Sequence, residues 1–154
     1  MLNLFVLSRL LAEEIKFYND RTLVISIRSP GTSPPKLKGN HIYFFEFYDI
    51  DRELFLEKEN KIIRPMEKEI AEQIVNVVLD NRDKKNLVIH CETGISRSPG
   101  VALGLAKFIA FSDKLHILET RFPCHNKYVR RLIEEAMEIR IREIETALLM
   151  DRRK

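Results

Sequence analysis

Residues 86–98 read Asn-Leu-Val-Ile-His-Cys-Glu-Thr-Gly-Ile-Ser-Arg-Ser. Leu87-Val88-Ile89 is a short apolar run, rich in β-branched residues, and predicts a buried strand rather than a helix. His90 and Cys91 fall where that strand would end. Five residues with Gly94 among them lead to Arg97, and Ser98 opens a second apolar run through Val101, Leu103, Leu105, Phe108 and Ile109. Its spacing predicts a helix from Ser98 to about Phe111. A strand, a tight loop and a helix N-terminus together form an anion site, because backbone N–H groups converge there and the helix dipole adds partial positive charge.

The side chains around that loop suit one chemistry. Cysteine attacks as its thiolate, the form that helix N-termini and arginines favour, and Cys91 stands beside both. Arg97 can fork two phosphate oxygens, contacts that tighten as charge spreads over the equatorial oxygens during transfer. Gly94 lets the backbone turn without a side chain filling the cradle. The Ser98 hydroxyl can hydrogen-bond the sulfur and ease its departure from a phosphocysteine.

His90-Cys91-x-x-Gly94-x-x-Arg97-Ser98 resembles the signature of the cysteine-dependent protein tyrosine phosphatases, in their small dual-specificity-like branch. The resemblance implies Cys91 as nucleophile and Arg97 as phosphate ligand. Around Arg97, the N–H groups of Glu92, Thr93, Gly94, Ile95 and Ser96 would complete a phosphate loop. His90 would support the loop from a buried position. The family takes its general acid from an aspartate on an upstream loop, after another strand. Asp49 is the first choice, since it directly follows the predicted third strand and its Phe47-Tyr48-Asp49-Ile50 setting resembles the acid loop of small bacterial members; Asp51 is the alternative.

The implied partners are phosphorylated proteins or peptides, with phosphate or sulfate able to occupy the loop. Whether phosphotyrosine alone or also phosphoserine and phosphothreonine are substrates stays open. No cofactor or metal is required, and His41, His116 and His125 lack metal-ligand spacing. Two departures narrow the substrate. The loop has no lysine and carries the acidic Glu92, which disfavours inositol phosphates, and a chain without tryptophan cannot have the Trp-Pro-Asp acid loop of the larger tyrosine-specific enzymes.

At 154 residues the chain reads as one domain, 1–154, able to bury a core without disulfides or metal. Two cysteines and no secretory signal suggest a reducing, cytoplasmic setting. Cys124 could pair with Cys91 under oxidation, although a plain structural cysteine is the simpler reading. No apolar run reaches the roughly 18 residues of a membrane span. Lys+Arg and Asp+Glu balance over residues 1–120, and the net charge of +3 comes from residues 121–154, where basic and acidic residues mix at helical spacing. That pattern fits a solvated helix face rather than a nucleic-acid footprint.

Working outward, residues 2–7, Thr22 to Ile27 and His41 to Phe47 read as further strands. Leu10 to Lys16 reads as a short helix, 29–35 as a turn-rich loop, and the residues from 53 to Arg64 as a charged loop. Pro65 suits the first turn of a helix carrying Met66, Ile70, Ile74, Val77 and Val78 on one face. Asp113 could cap a short helix through Leu115 and Leu118. After Pro123, His125 or Asn126 would start a last helix, with Asn126 as its cap. The alternation predicts an α/β fold with a central, mostly parallel sheet of four to five strands flanked by helices. Cys91 would sit at a carboxyl end, where such sheets bind ligands. Three other functions fit the sequence less well. A 5′-RNA triphosphatase would want a basic groove, a rhodanese-like sulfurtransferase fits Gly94, Arg97 and Ser98 less well, and a non-catalytic phosphate-binding module would ordinarily have lost Cys91 or Arg97.

Overall fold

The computed structural model describes the chain apart from residues 2, 53–55, 59–60, 110–111 and 153–154, and apart from the side chains of 56–58, 61 and 112. In chain order the elements are β1 (Asn3–Ser8), α1 (Arg9–Glu14), β2 (Lys16–Phe17), β3 (Thr22–Arg28), β4 (Lys38–Gly39) and β5 (Ile42–Glu46). They continue with β6 (Leu56–Lys58), β7 (Lys61–Ile63), α2 (Lys68–Asp80), β8 (Asn86–Cys91), α3 (Arg97–Ala106), α4 (Leu115–Arg121) and α5 (Lys127–Arg152).

Leu87 to Cys91 are all buried because β8 lies inside the sheet, with β1 on one side and β3 on the other. The four-stranded sheet has the order β1-β8-β3-β5 and is parallel throughout, with Ser8 opposite Cys91 and Ser26 opposite His90. All its strands therefore end on one edge. Side chains alternate between the faces. Leu23, Ile25, Ile27, Leu87, Ile89 and Cys91 belong to the main core with α2, α3 and α5. Val24 and Val88 pack with Phe17, Leu37 and Ile42 in a smaller cluster on the other face.

Every residue of α3 is buried, as the apolar run after Arg97 and Ser98 requires, and those two polar residues are buried with it. The helix ends at Ala106, short of the expected Phe111, which lies outside the described residues. Phe108 and Ile109 extend the apolar run because they pack on the core from a turn, not because the helix continues. Helix α2 starts three residues after Pro65, with Glu67 at its N-cap, so Pro65 and the buried Met66 lead into the helix rather than open it. The charged segment before Arg64 contains the antiparallel pair β6–β7, with Leu56 opposite Ile63. Ile62 and Ile63 favour extended backbone, which charge density had obscured. The two-residue pair β2–β4 is too short for any periodicity to announce. Asp113 lies in a 3₁₀ turn, and α4 has no side-chain cap. Helix α5 buries Val129, Ile133, Ala136 and Met137 near its start, while Leu148, Leu149 and Met150 near its end are exposed.

The α3–α5 contact is close because Gly104 faces Ile133. A Cβ at Gly104 would lie 2.7 Å from Ile133 Cβ and 2.9 Å from the Arg130 carbonyl oxygen. Alanine at 104 would gain about 1 kcal/mol of helix propensity, but overpacking a tight contact costs about 1–3 kcal/mol. A backbone carbonyl cannot rotate out of the way. Gly104→Ala should therefore lower the urea midpoint despite its better propensity, and a midpoint at or above wild type would contradict this packing.

Candidate active site

Loop 92–96 joins β8 to α3 at the carboxyl edge of the sheet. Gly94 has φ 73°, and a Cβ there would sit 2.8 Å from the backbone of both Leu7 and Ser8. The residue must be glycine both for its backbone conformation and for lack of space. The loop is thus pressed against the β1–α1 junction, where Ser8 caps α1 by accepting the Leu11 N–H and Arg9 N–H donates to the Glu92 carbonyl.

Cys91 lies at the base of this loop, 1% exposed. Its Sγ accepts the Gly94 N–H at 3.3 Å and lies 3.1 Å from Ser98 Oγ. Arg97, the first residue of α3, is 6% exposed, with its side chain directed inward. Its Nη1 donates to Ser29 Oγ and to the Phe47 carbonyl, both at 2.9 Å. Nε is buried and has no hydrogen-bond partner among the described residues. Fixing Nη1 leaves the Nε–Nη2 edge of the guanidinium, the edge that forks an oxyanion.

His90 is buried and bridges two strands. Its Nε2 lies 2.7 Å from Ser26 Oγ on β3, and its Nδ1 lies 3.3 Å from the Cys91 carbonyl. Burial pushes the imidazole below its ordinary value of 6.5, so the ring is neutral at neutral pH. A carbonyl can only accept, so Nδ1 carries the proton and Nε2 accepts from the serine hydroxyl.

Asp49 is exposed just beyond β5. Its Oδ1 accepts two hydrogen bonds, from Ser96 Oγ at 2.7 Å and from Asn126 Nδ2 at 2.9 Å. Asp51 is also exposed, and its side chain has no hydrogen bond to a described residue. The structure thus brings Cys91, Arg97, Ser98, the loop and Asp49 into one connected region, and attaches Asp49 rather than Asp51 to the loop.

Two loop side chains do more than the sequence reading assigned them. Thr93 Oγ1 accepts the Ile95 N–H at 3.3 Å, and Ser96 Oγ holds Asp49. Glu92 is exposed, with its carboxylate 3.8 Å from Arg9 Nη1. Arg9 also bonds Glu13, whose carboxyl it holds below the usual range, and the Ser33 carbonyl. No local sequence pattern marks Arg9, Ser26, Ser29 or the Phe47 carbonyl, and the pattern at Asn126 marks only a helix cap. Cys124 is free and exposed, so it is not a buried packing residue. Among the described residues no three His, Cys, Asp or Glu side chains are grouped to hold a metal, and no helix is long and apolar enough to cross a membrane.

No protein-family model matches the chain, and no curated protein does. Solved structures similar to it at low identity include two phosphatase-related proteins. The crystal structure of Tk-PTP in the active form has 12% identity and a TM-score of 0.47, covering 88% of this chain and 92% of that one. That of the human tyrosine phosphatase-like serine/threonine/tyrosine-interacting protein has 15% identity and a TM-score of 0.46, covering 79% and 80%.

The neutral His90 makes stability depend on pH. The unfolded chain binds a proton near 6.5, whereas the folded chain binds it only at lower pH. His90's contribution is complete above that value and is lost as pH falls through 6.5 toward the lowered folded value. Urea midpoints should decline from about pH 7 to pH 5, and decline less steeply in His90→Gln. Equal slopes would contradict the buried neutral ring.

Proposed function

We propose that this chain is a cysteine-dependent phosphomonoester hydrolase acting on phosphorylated proteins or peptides, with phosphotyrosine as its principal substrate. The observation that carries the reading is the Arg97 guanidinium. It is buried, its hydrogen bonds to described residues run through Nη1 alone, and its Nε has no partner among them, at the helix end of a loop that begins at a cysteine. A buried, unsatisfied N–H on a cation costs more than the roughly 1–3 kcal/mol of a neutral one. A bound phosphoryl group supplies the missing acceptor.

In the first step the Cys91 thiolate attacks phosphorus while Arg97 and the loop amides hold the equatorial oxygens. The S–P bond forms, the P–O bond to the leaving group breaks, and Asp49 gives that oxygen a proton. In the second step the Asp49 carboxylate takes a proton from water, whose oxygen attacks phosphorus. The S–P bond then breaks to release phosphate and thiolate. Ser98 Oγ, 3.1 Å from the sulfur, stabilises the departing thiolate. Because α3 starts at Arg97, its dipole favours negative charge throughout.

Hydrolysis of para-nitrophenyl phosphate tests this reading. Cys91→Ser should lose more than about 10³-fold in kcat, and Arg97→Lys about 10²–10³-fold, because lysine cannot reproduce the fork. Asp49→Asn should lose about 10²-fold or more and flatten the alkaline limb of the kcat/KM profile, while Asp51→Asn keeps both. The reverse result for the two aspartates would move the acid to Asp51. A wild type that binds phosphate or vanadate without turnover would make the chain a binding module.

A further inference from the structure

Asn126 is 2% exposed and uses every hydrogen-bonding group of its side chain. Its Oδ1 accepts the Val129 N–H at 3.0 Å, capping α5. One proton of Nδ2 goes to Asp49 Oδ1 at 2.9 Å and the other to the Ile50 carbonyl at 3.1 Å. The amide's orientation is fixed, since the Val129 N–H must meet oxygen while Asp49 Oδ1 and the Ile50 carbonyl must meet N–H. The Asn126 backbone N–H donates to the Ser96 carbonyl at 2.9 Å. Ser96 in turn donates its hydroxyl to the same Asp49 oxygen at 2.7 Å. One buried residue thus joins the phosphate loop, the segment after β5 and the start of α5.

A cap alone does not require this. Serine and aspartate cap helices about as well as asparagine, but among the three only asparagine combines the cap's acceptor with two N–H donors. Both donors to Asp49 reach Oδ1, and Oδ2 takes no hydrogen bond from a described residue. We infer that Ser96 and Asn126 are positioning residues for the general acid: they clamp Asp49 through Oδ1 to the phosphate loop and leave Oδ2 to carry the proton to the leaving oxygen. This rests on the reading of Asp49 as the acid. Through this clamp acid and nucleophile share one hydrogen-bonded frame. A displacement of about 1 Å in such a frame can cost 10²-fold in rate.

The readout is leaving-group dependence. Para-nitrophenolate, the weaker base, depends less on the acid than phenolate, which, like tyrosinate with its ordinary pKa of about 10, needs a full proton. The ratio of kcat/KM for para-nitrophenyl phosphate to that for phenyl phosphate therefore rises when the acid fails. It should rise most in Asp49→Asn and by about 10-fold in Ser96→Ala and Asn126→Ser. Ser96→Thr, which keeps the hydroxyl, should restore the wild-type ratio. Asn126→Ser keeps a capping oxygen, and its thermal midpoint reports whether α5 remains anchored. Adding Ser96→Ala to Asp49→Asn should raise the ratio no further, because the two act through one group.

If Ser96→Ala and Asn126→Ser slow both substrates equally, or neither, while Asp49→Asn shifts the ratio, the clamp is merely structural and this inference is overturned. If Asp49→Asn leaves the ratio unchanged in an active enzyme, the acid assignment fails and takes the clamp with it. A wild type inactive on both esters overturns the hydrolase reading itself.

Discussion

A buried guanidinium must be held from several sides, and the carboxyl edge of this sheet is arranged around that demand. Arg97 reaches Ser29 beyond β3 and Phe47 beyond β5 from its own place at the start of α3. Leaving a buried N–H of a cation unpaired costs more than about 1–3 kcal/mol, so strand ends and helix start are coupled through Arg97. The loop that cradles Cys91 lies between these fixed points. Its conformation follows from where the cation is tethered as much as from its own five residues.

The polar contacts near the loop form a second layer that links elements far apart in sequence. His90 ties β8 to β3 through Ser26, and Arg9 ties α1 to Glu92 and to the loop at Ser33. Asn126 ties α5 to Ser96 and Asp49. Below them the helices pack as an apolar layer, with α3 close enough to α5 that Gly104 has no room for a methyl group. Rigid packing beneath and directional hydrogen bonds above allow an exposed carboxylate to keep a fixed position.

What could be read from sequence was what local pattern encodes. Leu87 to Ile89 read as a buried strand, and Gly94 as a turn before the helix of Arg97, as they are. The partners of Arg97 were not legible, because Ser29 and Phe47 lie 68 and 50 residues away and nothing in a Pro/Gly-rich turn marks one serine as a tether. Asn126 was legible as a cap, a contact three residues long, but not as a donor to Asp49, 77 residues away. The same limit explains α3, whose apolar run outlasts its helix because Phe108 and Ile109 pack on the core from a turn. It also explains β6–β7, where paired backbone overrides a composition that reads as loop.

Gly94 rests on the main chain of Leu7 and Ser8, not on their side chains. A contact of that kind is indifferent to what Leu7 and Ser8 carry but unforgiving of where they lie. Leu4, Phe5 and Val6 could thus be exchanged for other residues of similar bulk, while an insertion or deletion in β1 would displace the backbone on which Gly94 rests. An edge strand of the sheet, β1 is held more strictly in length than in composition, a ruler against which the Gly94 turn is gauged.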